Sequence, residues 1–187
     1  MNDYDIAFEK ARKFHGHVCP GIVLGTRLTL AGLRELGMNP HEHNRDLLVF
    51  MEIDRCGTDA VQAITGCTLG HRTLKFRDFG KFAATFVDLA TMRAVRVAVS
   101  EKSRAEHDLL DPKDVLTVLA SAPDEEILKI EKVRVDLSDD DIPGRPRKKS
   151  VCSSCGEHMM DGREIRGDGK TLCKNCAGQS YYRVLPQ

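Results

Sequence analysis

Four cysteines near the C-terminus, Cys152-Ser-Ser-Cys155 and Cys173-Lys-Asn-Cys176, constrain this chain more than any other feature. The spacing C-x2-C-x17-C-x2-C sets two close pairs on either side of a hairpin-sized insert. That arrangement brings four thiolates to the corners of a tetrahedron. Gly156, Gly162 and Gly167-Asp168-Gly169 supply the turns for two knuckles and a hairpin. A segment of about 35 residues cannot bury a stable core alone, so zinc has to supply its folding free energy. Four thiolates leave no open coordination position, which makes that zinc structural. A redox role for the two C-x-x-C pairs would need a thioredoxin-like context that the sequence does not offer.

The chain has 187 residues, enough for one core and a small appendage. No window approaches the roughly 18 consecutive apolar residues of a membrane span. The start, Met-Asn-Asp-Tyr-Asp, is acidic and has no apolar h-region, so we expect no signal peptide and a cytoplasmic protein. In a reducing compartment, metal and catalytic roles outrank disulfides for the seven cysteines. Residues 1–140 carry 19 Lys+Arg and 23 Asp+Glu, a balance of −4; residues 141–187 carry 9 and 5, a balance of +4. This asymmetry is too small to argue for nucleic-acid binding, and the basic run at 145–149 reads as a solvated linker.

Residues 3–14 read as an amphipathic helix with Ile6, Ala7, Ala11 and Phe14 at helical spacing. His15–Cys19 breaks it. Pro20 suits the first position of a second helix, with Cys19 as its N-cap and Gly37 as its stop near Leu36. Gly25 and Gly32 within that helix lower its propensity and allow close backbone packing. The apolar run 47–51 predicts a strand buried on both faces. A short helix is expected over 58–65, strands over 74–78, 82–89 and 94–99, a helix over 111–120 and a strand over 127–137. Residues 138–150, with Ser-Asp-Asp-Asp, Pro143-Gly144 and Pro146, read as a linker. The domains expected are therefore 1–137, an α+β unit with a mixed sheet, and 151–187, the ribbon.

His15, His17 and Cys19 lie in Phe14-His15-Gly16-His17-Val18-Cys19-Pro20-Gly21. Imidazole and thiolate suit zinc, nickel, copper or iron. In an unbroken helix His15 and Cys19 would share a face and His17 would not. A chain break here brings His17 and Cys19 together instead. Cys19, as N-cap, lies near the positive end of the helix dipole, which favours thiolate and makes it a ligand or a nucleophile. Cys56, just after the strand at 47–51, is the preferred further ligand, because a strand end is a rigid platform. Cys67 is the rival, about 12 Å away along an eight-residue helix, and reads as a buried residue. His41 and His43 read as loop residues, and no role is assigned to His71 or His107.

The first motif, continued by Ile22-Val23-Leu24-Gly25-Thr26-Arg27, closely resembles the signature of the FmdE family, named for one component of formylmethanofuran dehydrogenase. Asp54-Arg55-Cys56-Gly57-Thr58-Asp59-Ala60-Val61-Gln62, Thr65-Gly66-Cys67-Thr68-Leu69-Gly70 and Asp78-Phe79-Gly80-Lys81 extend the resemblance. Where many members have Gly-Lys after the Cys67 motif, this chain has Gly70-His71. The resemblance implies an α-β-α-β-β-β core with a mixed sheet, and a metal bound by His and Cys of the first motif with Cys56. The wording around Cys152, Cys155, Cys173 and Cys176 resembles the zinc finger of the DksA/TraR family. The long coiled coil of DksA has no counterpart here, so its RNA-polymerase role does not transfer.

Three functions follow as expectations. The first is a metalloprotein accessory to a molybdenum or tungsten oxidoreductase, with a second transition metal, zinc by preference, on His17, Cys19, Cys56 and His15. The absence of an iron–sulfur cysteine run argues against a catalytic subunit. The second is a stand-alone enzyme using that metal or the Cys19 thiolate, with Asp59 or Asp54 in reach. The third is a regulatory or nucleic-acid module using the ribbon. A homodimer is compatible with the buried sheet.

Overall fold

The computed structural model describes residues 2–101 and 111–185. It divides into two compact units, residues 1–136 and 137–187. The first opens with α1 (Asp3–His15), whose start is fixed by a capping box between Asn2 and Asp5. Its end is Gly16, left-handed at φ 90°, a conformation that a Cβ would strain. Next comes α2 (Pro20–Leu36), with Cys19 as an extended N-cap and left-handed Gly37 closing it.

Five strands form the sheet: β1 (Leu47–Met51), β2 (Leu74–Phe76), β3 (Ala83–Asp88), β4 (Arg93–Val99) and β5 (Leu128–Val133). Their order is β2-β1-β3-β4-β5, with β1 and β2 parallel and the other pairs antiparallel. The expected mixed sheet is present. Between β1 and β2 runs α3 (Cys56–Thr65), and between β4 and β5 run α4 (Pro112–Ser121) and the one-turn α5 (Asp124–Ile127). Leu47, Val49, Met51, Ala84, Phe86, Val95 and Val97 form one core with the buried faces of α1, α2 and α3. Burying each large side chain stabilises the fold by roughly 1.5–3 kcal/mol.

Two expected boundaries moved. The helix expected at 58 begins at Cys56, because Arg55 is already extended and the Thr58 N–H closes a turn on the Arg55 carbonyl at 2.8 Å. The strand expected over 127–137 is shorter at both ends. Pro123 and three acids start the extra helical turn, and Asp124 is held there by Arg27 and Arg34 at 2.6 and 2.7 Å. Beyond Val133 the exposed Arg134–Asp136 pair has no apolar face to bury.

Helix α2 lies against α3 with almost no spacing. A Cβ on Gly25 would stand 2.6 Å from Gly57 Cα, and a Cβ on Gly57 would stand 2.5 Å from the Phe82 ring. Both glycines are required by this close approach, and it brings the N-termini of the two helices together. The second unit is built from two short hairpins: β6 (Lys149–Val151) with β7 (His158–Met160), and β8 (Ile165–Gly167) with β9 (Lys170–Leu172). Among the described residues, no helix is long and apolar enough to cross a membrane.

Candidate functional site

In the ribbon, Cys152, Cys155, Cys173 and Cys176 bring their sulfurs within 4.8 Å of one another. Cys155 and Cys173 are 3.9 Å apart. The hairpins create this closeness. Cys152 N–H bonds the Glu157 carbonyl, Gly156 N–H turns back to Cys152 O, and Ser153 N–H reaches Thr171 O across the insert. Backbone N–H groups, first that of Cys155 and then that of Cys173, hold the Cys152 thiol down to about 6. Cys155 receives a similar bond from Glu157, which lowers it, yet desolvation and the neighbouring thiols of Cys152, Cys176 and Cys173 push it up to about 12. Four sulfurs this close repel one another as thiolates until a cation joins them.

At the other cluster, α1 ends at His15, and the left-handed Gly16 turns the chain so that His17 folds back beside it. The two rings lie 4.3 Å apart between centroids. Cys19, at the start of α2, places its sulfur 3.8 Å from His15 Nε2. One ligand atom from each of His15, His17 and Cys19 falls within 4.8 Å of the others. The chain break thus unites all three, which an unbroken helix could not do.

A third helix orients the group. Asp59, one turn into α3, approaches His15 Nδ1 at 2.7 Å. A carboxylate only accepts, so Nδ1 carries the proton and Nε2, on the Cys19 side, keeps its lone pair in the neutral ring. His15 is 11% exposed and Asp59 37%, and His17 is exposed, so the cluster opens to solvent on the His17 side. The pairing of His15 with Asp59 spans 44 residues. The sequence named Asp59 only as a polar residue in reach, with no signal for its partner.

Cys56 lies outside that trio but against it. A Cβ on Gly21 would stand 2.9 Å from Cys56 Cβ, 3.5 Å from Cys56 Sγ and 3.7 Å from Cys19 Sγ. The two sulfurs therefore flank one crevice between the tips of α2 and α3. Burial pushes the Cys56 thiol up, and the hydrogen bond and charge of Cys19 push it further. Cys67 sits elsewhere. It is 3% exposed in the core, its thiol points to Leu47 O at 3.6 Å, and burial raises its pKa. His41 binds Asp3, His71 is exposed, and Asp54 is exposed. His107 lies outside the described residues.

The donor set of the first unit, two imidazoles and one thiolate with a second thiol beside them, is chemically suited to a zinc-type ion. Holding such an ion there would fall to His15, His17, Cys19 and Cys56.

Comparison with known proteins agrees with both clusters. Residues 145–182 match the prokaryotic dksA/traR C4-type zinc finger. A curated protein of Archaeoglobus fulgidus, named a probable S-adenosyl-L-methionine-binding protein, is 32% identical over a 204-residue alignment. That alignment takes in 94% of this chain and 53% of the relative, so the chain spans about half the relative's length. A crystal structure of an FmdE-like protein of tungsten formylmethanofuran dehydrogenase, from Syntrophus aciditrophicus, superposes with a TM-score of 0.68 at 26% identity. It covers 96% of this chain and 95% of its own. Residues 14–136 match the family described as FmdE, molybdenum formylmethanofuran dehydrogenase operon. That stretch takes in the whole His/Cys cluster and the sheet that supports it, and the chain belongs to the FmdE family.

Proposed function

We propose that the protein is a cytoplasmic metalloprotein whose first unit carries a transition metal, zinc by preference, at His15, His17, Cys19 and Cys56, and whose ribbon carries structural zinc. The observation that carries this reading is the convergence of His15, His17 and Cys19 within 4.8 Å, with Asp59 fixing the His15 tautomer. The family and the Syntrophus structure support an accessory role beside a molybdenum or tungsten formylmethanofuran dehydrogenase.

An ion there would supply Lewis acidity toward a small electron-pair donor. The chain's own residues do the rest. Asp59 holds the His15 ring with Nε2 toward the site, and the ends of α2 and α3 place partial positive charge behind both cysteines. The exposed side, at His17, is where a small ligand would enter. Exposed Phe14, Val18 and Phe79 support a homodimer, which light scattering tests.

The deciding experiment is metal analysis of the purified chain. Two equivalents are expected, falling to one in the Cys19→Ser, Cys56→Ser double variant. An unchanged metal content in that variant rejects the site. Co-elution with the oxidoreductase's other chains tests the accessory role. The Archaeoglobus relative supports a second reading, binding of S-adenosyl-L-methionine. Equilibrium dialysis against that compound decides it, and no saturable binding eliminates it.

A further inference from the structure

We propose that Cys19 and Cys56 form a reversible disulfide, so that the same crevice that holds the ion is a redox modification site that expels it. The inference rests on the metal reading above for its consequence, but the bond itself needs only the two cysteines.

Three observations converge. Both sulfurs line one crevice, at 3.5 and 3.7 Å from the position a Gly21 Cβ would take, and only a glycine leaves that space free. The cysteines sit at the first turns of two helices locked together at Gly25 and Gly57, so the partner sulfur is held nearby. Both are half-buried, within reach of a small oxidant, whereas Cys67 is sealed in the core. Cys19 is the attacking thiol, because it caps α2 and has His15 Nε2 at 3.8 Å to take its proton.

With glutathione disulfide as oxidant, the electrons balance in two exchanges. The Cys19 thiolate attacks one sulfur of glutathione disulfide, forming a mixed disulfide and releasing one glutathione thiolate. The Cys56 thiolate then attacks the Cys19 sulfur and releases the second. The pair loses two electrons and glutathione disulfide gains them. Any thiol protons pass to the departing glutathione thiolates. Two thiolate ligands disappear at once, leaving His15 and His17, which hold an ion far more weakly.

The experiment treats the full zinc-loaded chain with glutathione disulfide, without oxygen. Released zinc is followed with a chromogenic chelator, and unreduced peptides are mapped by mass. Expected are one equivalent of zinc released, a loss of two hydrogens per chain relative to the reduced protein, and a peptide pair joined through Cys19 and Cys56. Dithiothreitol should reverse all three. Cys67→Ser should behave as wild type. Cys56→Ser should stop at glutathione on Cys19, with circular dichroism confirming its fold. Free thiols throughout, glutathione persisting on Cys19 in the wild type, or bridges confined to the ribbon cysteines would each overturn the proposal. A Cys19–Cys56 bridge in a chain that never held the second zinc would uphold the disulfide and reject the metal reading. A bound second zinc, with no bridge even after chelation and oxidation, would do the reverse.

Discussion

The two cysteine clusters place the same ligand chemistry on opposite kinds of support. The ribbon is two short hairpins whose buried residues are few, Cys152 and Met159 among them, so its cysteines are themselves the centre of the structure. The His/Cys cluster of the first unit sits at the rim of a five-stranded sheet and its helices, with a core that closes without it. In the ribbon the donors are four of a kind and come from its knuckles. In the first unit they are mixed, they come from three helix ends, and one side is open. A cluster that a fold needs in order to exist is closed, whereas a cluster that a fold can do without is available for chemistry.

Metal removal is the strongest way to break this contrast. Structural zinc contributes roughly 10–16 kcal/mol in ribbons of this size. Stripping the full chain with a chelator should therefore unfold the ribbon while the sheet persists. Amide signals of β6 to β9 should collapse toward random-coil positions, and those of β1, β3 and β4 should stay dispersed. A ribbon that remains ordered without metal would abolish the distinction.

The next test strikes the support beneath the first cluster. Gly25→Ala puts a methyl 2.6 Å from Gly57 Cα and 2.8 Å from Ala60 Cβ, neither of which can move aside cheaply. Overpacking of this kind costs about 1–3 kcal/mol. The substitution should lower the melting temperature and reduce metal at the His/Cys cluster, and leave the ribbon's zinc in place. An unperturbed first cluster in this variant would mean that the α2–α3 contact does not set the positions of Cys19 and Cys56.

How much of this was legible depends on how local each signal is. Gly16 and the Cys19-Pro20 helix start are read from adjacent residues, because caps are short-range chemistry. The all-apolar β1 and the four ribbon cysteines are equally local. The start of α3 was missed by two residues, since Arg55 makes no side-chain cap that a sequence could advertise. His15–Asp59 and Arg27–Asp124 join residues 44 and 97 apart, and only the packing of helices creates them. The orientation of the first cluster therefore lay beyond sequence pattern, although its residues did not.

Asp59 tests that orientation directly. Carboxylate partners of ligating histidines are worth about 10–100-fold in metal affinity. Asp59→Asn should weaken the first cluster by that factor in competition with a calibrated chelator, with the ribbon site as an internal control at unchanged affinity. Equal affinity in the variant would mean that His15 is held by its helix alone.

The smallest expected effect concerns acid, and it isolates the first unit from any metal. Asp124 is partly buried, which raises its pKa, but the hydrogen bonds and charges of Arg34 and Arg27 overcome this and hold it below the usual value of 3.8. A carboxyl with a depressed folded pKa stabilises the fold above its unfolded pKa and stops doing so as pH falls through the folded one. The chelated chain should therefore lose stability in its first unit as pH drops below about 4. Asp124→Asn removes that loss, because it cannot ionise in either state, and costs about 1 kcal/mol at neutral pH. Its denaturation midpoint should thus start lower than wild type at pH 7 and converge with it in acid. Parallel midpoints across that window would show that the Arg27–Asp124–Arg34 network does not couple folding to pH. The acid sensitivity of the sheet unit would then have to come from other carboxylates, such as Asp88, whose own depressed pKa follows from burial outweighed by Thr91 and the backbone of Ala90.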